Sequence, residues 1–252
     1  MGHHNHDFSG DKYALAGVWG PPTSWANFCE EDYGVTRYTA EFINTLSNIA
    51  YVYMALSYPG RHGQPGLFLN LDSMSLSMIL VGVTSTIFHG TLLLNAQLAD
   101  ELSMLVLATA ILHRLYTIGR SPFAKQTATL FLFSSTLGLA VAYVKSGNVM
   151  YHVTIFGAQL TCIWPRTLYL IVSEKETEKR AKHLRQFAKA IAALAIGYAL
   201  WHIDLEFCDL LRRWRLALGA PWSFILEFHG WWHVLTAIGA IEYIKLVREL
   251  CL

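Results

Sequence analysis

Long apolar runs separated by short polar clusters set the character of this chain. A helix needs roughly 20 mostly apolar residues to cross a hydrocarbon core about 30 Å thick. Against that length, residues 42–58, 71–93, 99–118, 127–144, 149–172, 187–205 and 222–246 are seven candidate spans. Open strands are excluded in lipid because their unpaired N–H and C=O groups find no water there, so each span reads as a helix. The pattern predicts an all-α polytopic membrane protein. A seven-transmembrane-helix bundle fills residues 42–252, and a polar segment, residues 1–41, precedes it. That segment has no apolar core of the kind a cleavable signal peptide carries. His3, His4 and His6 within it read as a solvated terminus.

Composition agrees with a membrane assignment, since 54% of residues are apolar and 15% charged. The net charge of +1 and the lack of a basic–aromatic stripe give no footprint for nucleic acid. Long repeats and low-complexity tracts are absent, so the membrane bundle forms one domain. Basic residues are unevenly shared between the two sides that seven spans define. Arg61, Arg114, Arg120 and Lys125 fall on one side, with the run Lys175, Lys179, Arg180, Lys182, Arg185 and Lys189, and then Lys245 and Arg248. Lys12, Arg37, Lys145, Arg212, Arg213 and Arg215 fall on the other. The positive-inside rule then puts the C-terminus in the cytosol and the N-terminus in a lumen, against the local pull of Arg212–Arg215. Cys29 and Cys208 both face the oxidising side, where they suit either a bridge or two free thiols. Cys162 and Cys251 read as free.

Ionisable groups inside spans are costly and are functional suspects by default. The seventh span carries Glu227-Phe228-His229-Gly230-Trp231-Trp232-His233. His229 and His233, at i and i+4, share one helical face, which is how a helix presents two imidazoles to one metal. Two satisfied core histidines in a tryptophan-rich belt are the alternative. The second span brings Ser85 and His89, again at i and i+4, to its lumenal end. The third starts on the lumenal side with Asp100 and Glu101. Three histidines, a carboxylate and a hydroxyl from three helices therefore reach one depth. Three ligands with an open fourth position mark a catalytic zinc site, and no cysteine lies in this layer to suggest a closed structural one. His113, His152 and Arg166 read as interhelical hydrogen-bond partners. His202, Asp204 and Glu206 read as a supporting or loop-anchoring cluster, or as solvated interfacial groups. His62 and His183 read as solvated loop residues.

Before the first span lies Asn27-Phe28-Cys29-Glu30-Glu31-Asp32-Tyr33, followed by Glu41. Oxygens from Asn27, Glu30, Asp32 and Glu41, with a backbone carbonyl, suit a hard cation of the calcium type. A solvated acidic loop with a favourable Glu at a helix N-terminus is the alternative.

In combination and order these motifs resemble the alkaline ceramidases, seven-span enzymes of a wider membrane-hydrolase superfamily that includes adiponectin receptors. The likeness rests on Gly17-Val18-Trp19-Gly20-Pro21, Phe28–Tyr33, Ala40-Glu41-Phe42-Ile43-Asn44-Thr45-Leu46-Ser47-Asn48, Ser85-Thr86-Ile87-Phe88-His89, Gln97–Leu102 and His229–His233. It implies zinc at His89, His229 and His233, with Ser85 and Asp100 beside it in catalytic roles. It implies calcium at Asn27, Phe28 (through its carbonyl), Glu30, Asp32 and Glu41, and a lumenal Cys29–Cys208 disulfide. Asn27-Phe28 departs from the Asp-Trp that such proteins often carry, which removes one charge, and Asp32 stands where Asn is common. The implied activity is zinc-dependent hydrolysis of the amide of ceramide, dihydroceramide or phytoceramide to a sphingoid base and a fatty acid. The implied location is the membrane of the endoplasmic reticulum or Golgi. Other readings are a seven-helix lipid-sensing receptor with structural zinc, and a related hydrolase acting on another lipid. A soluble metalloprotease is disfavoured, because no Glu directly follows His229 to act as general base.

Overall fold

The computed structural model describes residues 11–60 and 70–251; His3, His4, His6, Arg61 and His62 lie outside them. Among the described residues the helices are α1 (Phe42–Ser47), α2 (Ile49–Ser57), α3 (Ser73–Thr91), α4 (Leu94–Thr117), α5 (Pro122–Ser146), α6 (Val149–Val172), α7 (Thr177–Glu206), α8 (Cys208–Leu218) and α9 (Phe228–Leu250), with a 3₁₀ turn at Trp222–Leu226. The all-helical expectation holds. Four of these helices, α3, α5, α6 and α7, are long and apolar enough to cross a membrane.

The expected spans differ from these helices in instructive ways. The first, residues 42–58, is divided at Asn48. There the Asn48 amide and the Ser47 hydroxyl both donate to the Asn44 carbonyl, competing with the helical ladder at 2.8 and 2.9 Å. Asn48 keeps αR torsions, so the chain loosens without turning away. The last span opens as the 3₁₀ turn and becomes regular only at Phe228, after Glu227 leaves helical torsions. The sixth gains a charged first portion from Thr177. α8 occupies what sequence periodicity left as a connecting loop.

Helix ends follow local chemistry. Ser121 accepts from Ala124 N ahead of Pro122, and Gly147 closes α5 in the left-handed region at φ +62°. Asn148 then caps α6 by accepting from Met150 N at 2.9 Å. Two residues thus end one long helix and start the next.

The chain forms two compact units. One comprises the described parts of Ala55–Val81 and Ala240–Leu252, with Glu101–Ala190. Polar pairs tie its helices: Gln159 donates to Thr109 at 2.9 Å, Thr167 and Tyr243 share a hydrogen bond of 2.6 Å, and Arg248 makes a two-pronged contact with Asp72 at 2.9 Å. Tyr143 donates to Glu101. His113 bonds Thr129 at 2.8 Å and Arg166 donates to the Leu115 carbonyl, as expected of interhelical partners. His183, by contrast, is helical and buried, with Glu249 3.3 Å away. It falls on the inner face of a helix that begins earlier than its apolar pattern.

The other unit comprises the described part of Met1–Met54, with Gly82–Asp100 and Ile191–Gly239. Its N-terminal segment is stitched to the turn between α3 and α4. Thr23 N and Ser24 N donate to Leu92 O, Ala40 N to Gly90 O, and Glu41 N to His89 O, at 2.9–3.0 Å. These bonds satisfy carbonyls that the end of α3 would leave orphaned.

Candidate metal centre

α3 places Ser85 and His89 one turn apart, and α9 does the same for His229 and His233. One ligand nitrogen from each histidine lies within 4.8 Å of the others, and all three side chains are buried. The ring centroids are 4.6–5.0 Å apart. Gly230, between the two α9 histidines, lets α9 close on α1: a Cβ there would stand 2.9 Å from the Ile43 side chain.

Two of the imidazoles are held through Nδ1 by a neighbouring side chain, and the third is not. His89 Nδ1 meets the Glu41 carboxylate, and His233 Nδ1 meets the Ser47 hydroxyl at 2.8 Å. Such outer contacts fix ring orientation and tautomer at metal sites. His229 Nδ1 is buried with no hydrogen-bond partner, and the Phe28 ring stacks on this imidazole at 3.7 Å. An orphaned buried nitrogen is costly unless something satisfies it. Three convergent imidazoles, with one nitrogen unpartnered, can hold a metal ion.

Ser85 is buried on the His89 face of α3. Asp100 is half-buried on α4 in the same unit and acts electrostatically on Tyr51, whose hydroxyl bonds Thr236 at 2.5 Å.

The acidic segment is buried rather than solvated: Asn27, Glu30, Asp32 and Glu41 are each 5% exposed or less. Glu30 spans the start of α1, accepting from Ile43 N at 2.6 Å and Asn44 N at 2.9 Å. Glu41 accepts from Phe28 N and from the Asn44 amide, both at 3.1 Å, as well as meeting His89. Asn27 donates to Asp32 Oδ2 at 3.2 Å, while Asn27 Oδ1 and Asp32 Oδ1 are buried without partners. Burial pushes the carboxyls of Glu30, Asp32 and Glu41 up to about 8. The Glu41 charge adds to this at the first two, and Asp204 adds to it at Glu41. The cluster is short of positive charge.

Cys29 and Cys208 are joined in a disulfide, with Cα atoms 5.3 Å apart; Cys162 and Cys251 are free. Sequence periodicity missed the network around this bridge. Arg212 and Arg215 each donate to the Cys29 carbonyl at 2.9 Å. Arg212 also pairs with Asp11, and Arg215 with Glu227 at 2.8 Å. Asp204, fully buried, accepts backbone N–H groups of Cys29, Phe228 and His229, so it anchors the start of the helix that carries two of the histidines. Its place among His202, Asp204 and Glu206 was the available signal. Exposed His202 instead meets Tyr198 and Trp201 edge-to-face.

A sequence model of the family described as Ceramidase matches residues 20–251. The chain is 31% identical over 254 residues to alkaline ceramidase YPC1 of Saccharomyces cerevisiae, covering 94% of this chain and 79% of that protein. It is 28% identical to alkaline ceramidase 3 of Mus musculus, covering 90% and 84%, and 26% identical to the alkaline ceramidase of Arabidopsis thaliana, covering 90% and 83%.

Proposed function

The chain belongs to the ceramidase family, and from that premise we propose that it is a zinc-dependent, seven-span membrane amidohydrolase that cleaves the amide bond of a ceramide. Family membership makes ceramide hydrolysis the activity. The observation that carries the metal is the buried three-histidine cluster with its orphaned His229 nitrogen. An all-imidazole donor set suits zinc, which takes three protein ligands at catalytic sites.

Zinc held by His89, His229 and His233 would supply Lewis acidity and a water activated near neutral pH. The chain's own groups do the rest. Asp100 takes a proton from the attacking water and returns it to the departing nitrogen as the C–N bond breaks. Ser85 donates a hydrogen bond to the amide oxygen as charge builds on it. The products are a fatty acid and a sphingoid base, so one water is consumed for each amide cleaved. Glu41 and Ser47 fix the rings of His89 and His233, and Phe28 covers His229.

The acidic segment we assign to calcium, with Asn27, the Phe28 carbonyl, Glu30, Asp32 and Glu41 as its ligands. The support is chemical: two orphaned buried oxygens and three crowded carboxylates call for a cation of oxygen preference. Because Glu41 serves both groups, calcium occupancy would steady His89.

The remaining spans follow from this reading. α1 with α2, α4, and the 3₁₀ turn with α9 join the four long apolar helices to make seven, in a membrane of the endoplasmic reticulum or Golgi with a lumenal N-terminus. The test is purified protein given ceramide, dihydroceramide and phytoceramide, before and after chelation and then with zinc or calcium restored. Fatty acid release that chelation stops and zinc restores supports the proposal. Metal bound without turnover of any substrate would leave a receptor-like protein and overturn it.

A further inference from the structure

A cavity of about 370 Å³ lies where α7 and α9 run side by side, within the unit that excludes His89, His229 and His233. Lys182, Arg185 and Lys189 line it from α7, and Glu242, Lys245 and Glu249 line it from α9. Both sets are spaced i, i+3, i+7, so each forms one helical face.

The charges in this cavity do not balance. Lys182 pairs with Glu249 and Lys245 with Glu242, each at 2.6 Å, and His183 also approaches Glu249 at 3.3 Å. Both carboxylates are thereby engaged. Arg185 and Lys189, both exposed, make no ion pair among the described residues. The Gln186 amide is spent on the Glu242 carbonyl at 3.2 Å. The cavity therefore keeps two cations in surplus, one of them a guanidinium whose fork matches two oxygens of a phosphate.

Its position along α7 narrows the ligand further. The helix is rich in charge from Thr177 to Lys189 and apolar from Ala190 to Trp201. On the membrane reading above, Lys189 marks the entry into hydrocarbon, and the cavity opens at headgroup level. Basic clusters at that depth attract anionic lipid headgroups.

We propose that the α7–α9 cavity binds the phosphate of an anionic phospholipid headgroup, with Arg185 and Lys189 as its principal contacts. A merely solvated basic surface would show no preference for these two residues over their neighbours. Lys175 and Lys179, just before the cavity on the same stretch of chain, provide the comparison, since Lys179 pairs with Glu176 and neither lines the cavity.

The experiment uses the full chain in detergent and titrates short-chain phosphatidylinositol 4-phosphate, phosphatidylcholine of equal chain length and inorganic phosphate. Native mass spectrometry reads the bound fraction. The phosphoinositide should bind saturably and the phosphatidylcholine should not. Arg185→Gln with Lys189→Gln should weaken binding at least tenfold at unchanged thermal stability, while Lys175→Gln with Lys179→Gln should change it less than twofold. Equal losses in the two pairs would mean bulk electrostatics and overturn the proposal. Inorganic phosphate binding as tightly as the lipid would overturn it as well. Neither variant pair touches the histidine cluster, so amide hydrolysis provides a separate readout of the catalytic assignment.

Discussion

The histidine cluster divides its three members into two kinds. His89 and His233 each have Nδ1 engaged, by Glu41 and by Ser47, whereas His229 Nδ1 has no partner. Truncating any of the three removes one donor from a set that has no spare. His89→Ala, His229→Ala and His233→Ala should each bring turnover to background and lower zinc content, read by fatty acid release and by elemental analysis of folded protein. Full activity in one variant would remove that histidine from the metal shell. Glu41 acts one step further out. Glu41→Gln keeps the shape but weakens the hold on His89, and the loss of such an outer contact typically lowers metal affinity about 10–100-fold. Competition with a chromophoric chelator measures this; unchanged affinity would mean that Glu41 serves the acidic cluster alone. The histidines were legible in sequence because i, i+4 spacing and shared depth are periodic properties. An anchoring role for Asp204 was one of two readings its sequence allowed, but its partners were not legible, because they are backbone N–H groups distant in sequence, at Cys29 and at Phe228 and His229.

Among the elements, α8 departs most from what periodicity alone suggests. Its inward face carries Cys208, Leu211 and Arg215, while Trp214, Leu216 and Leu218 are exposed. At 11 residues, with Arg212, Arg213 and Arg215 among them, α8 is too short and too charged to register as a membrane span, so the segment read as a loop. What holds it is covalent and ionic: the Cys29–Cys208 bridge and the arginine contacts around Cys29 O and Glu227. The bridge closes a sequence separation of 179 residues, and loss of a native disulfide of this kind costs about 2–5 kcal/mol. Cys29→Ser with Cys208→Ser should therefore lower the Tm of purified protein by roughly 5 °C or more. Reducing the wild type should reproduce the shift, and reducing the double variant should add nothing. An unchanged Tm would assign the hold on α8 to Arg212 and Arg215 alone. The same comparison explains the divided first span. Asn48 and Ser47 are unremarkable in a hydropathy window, yet their bonds to the Asn44 carbonyl decide where α1 ends.

For the whole molecule, the sequence made the helical class and the family's motifs legible, while the number of crossings rests on elements that depart from regular helix. α3, α5, α6 and α7 are apolar and long enough by themselves. α1 and α2 are shortened by the break at Asn48, and α9 carries its histidines where a lipid-facing helix would carry leucines. The seven crossings proposed above would put the termini on opposite sides, and the basic-residue bias would then put the C-terminus in the cytosol. The opposing cluster Arg212–Arg215 is at odds with that bias. The structure supplies a reason for its presence: Arg212 and Arg215 are bound to Asp11, Glu227 and the Cys29 carbonyl, so folding needs them where they stand. The disulfide points the same way, since Cys29 and Cys208 persist as a bridge where the compartment is oxidising. Two glycosylation acceptors test this, one inserted between Asp7 and Phe8 and one appended after Leu252, expressed in cells and read by a glycosidase-sensitive mobility shift. The first alone should be modified. Modification of both would require an even number of crossings and return α1 with α2, or the 3₁₀ turn with α9, to the same side as its neighbours. Modification of the second alone would invert the bundle and place the three-histidine end against the cytosol.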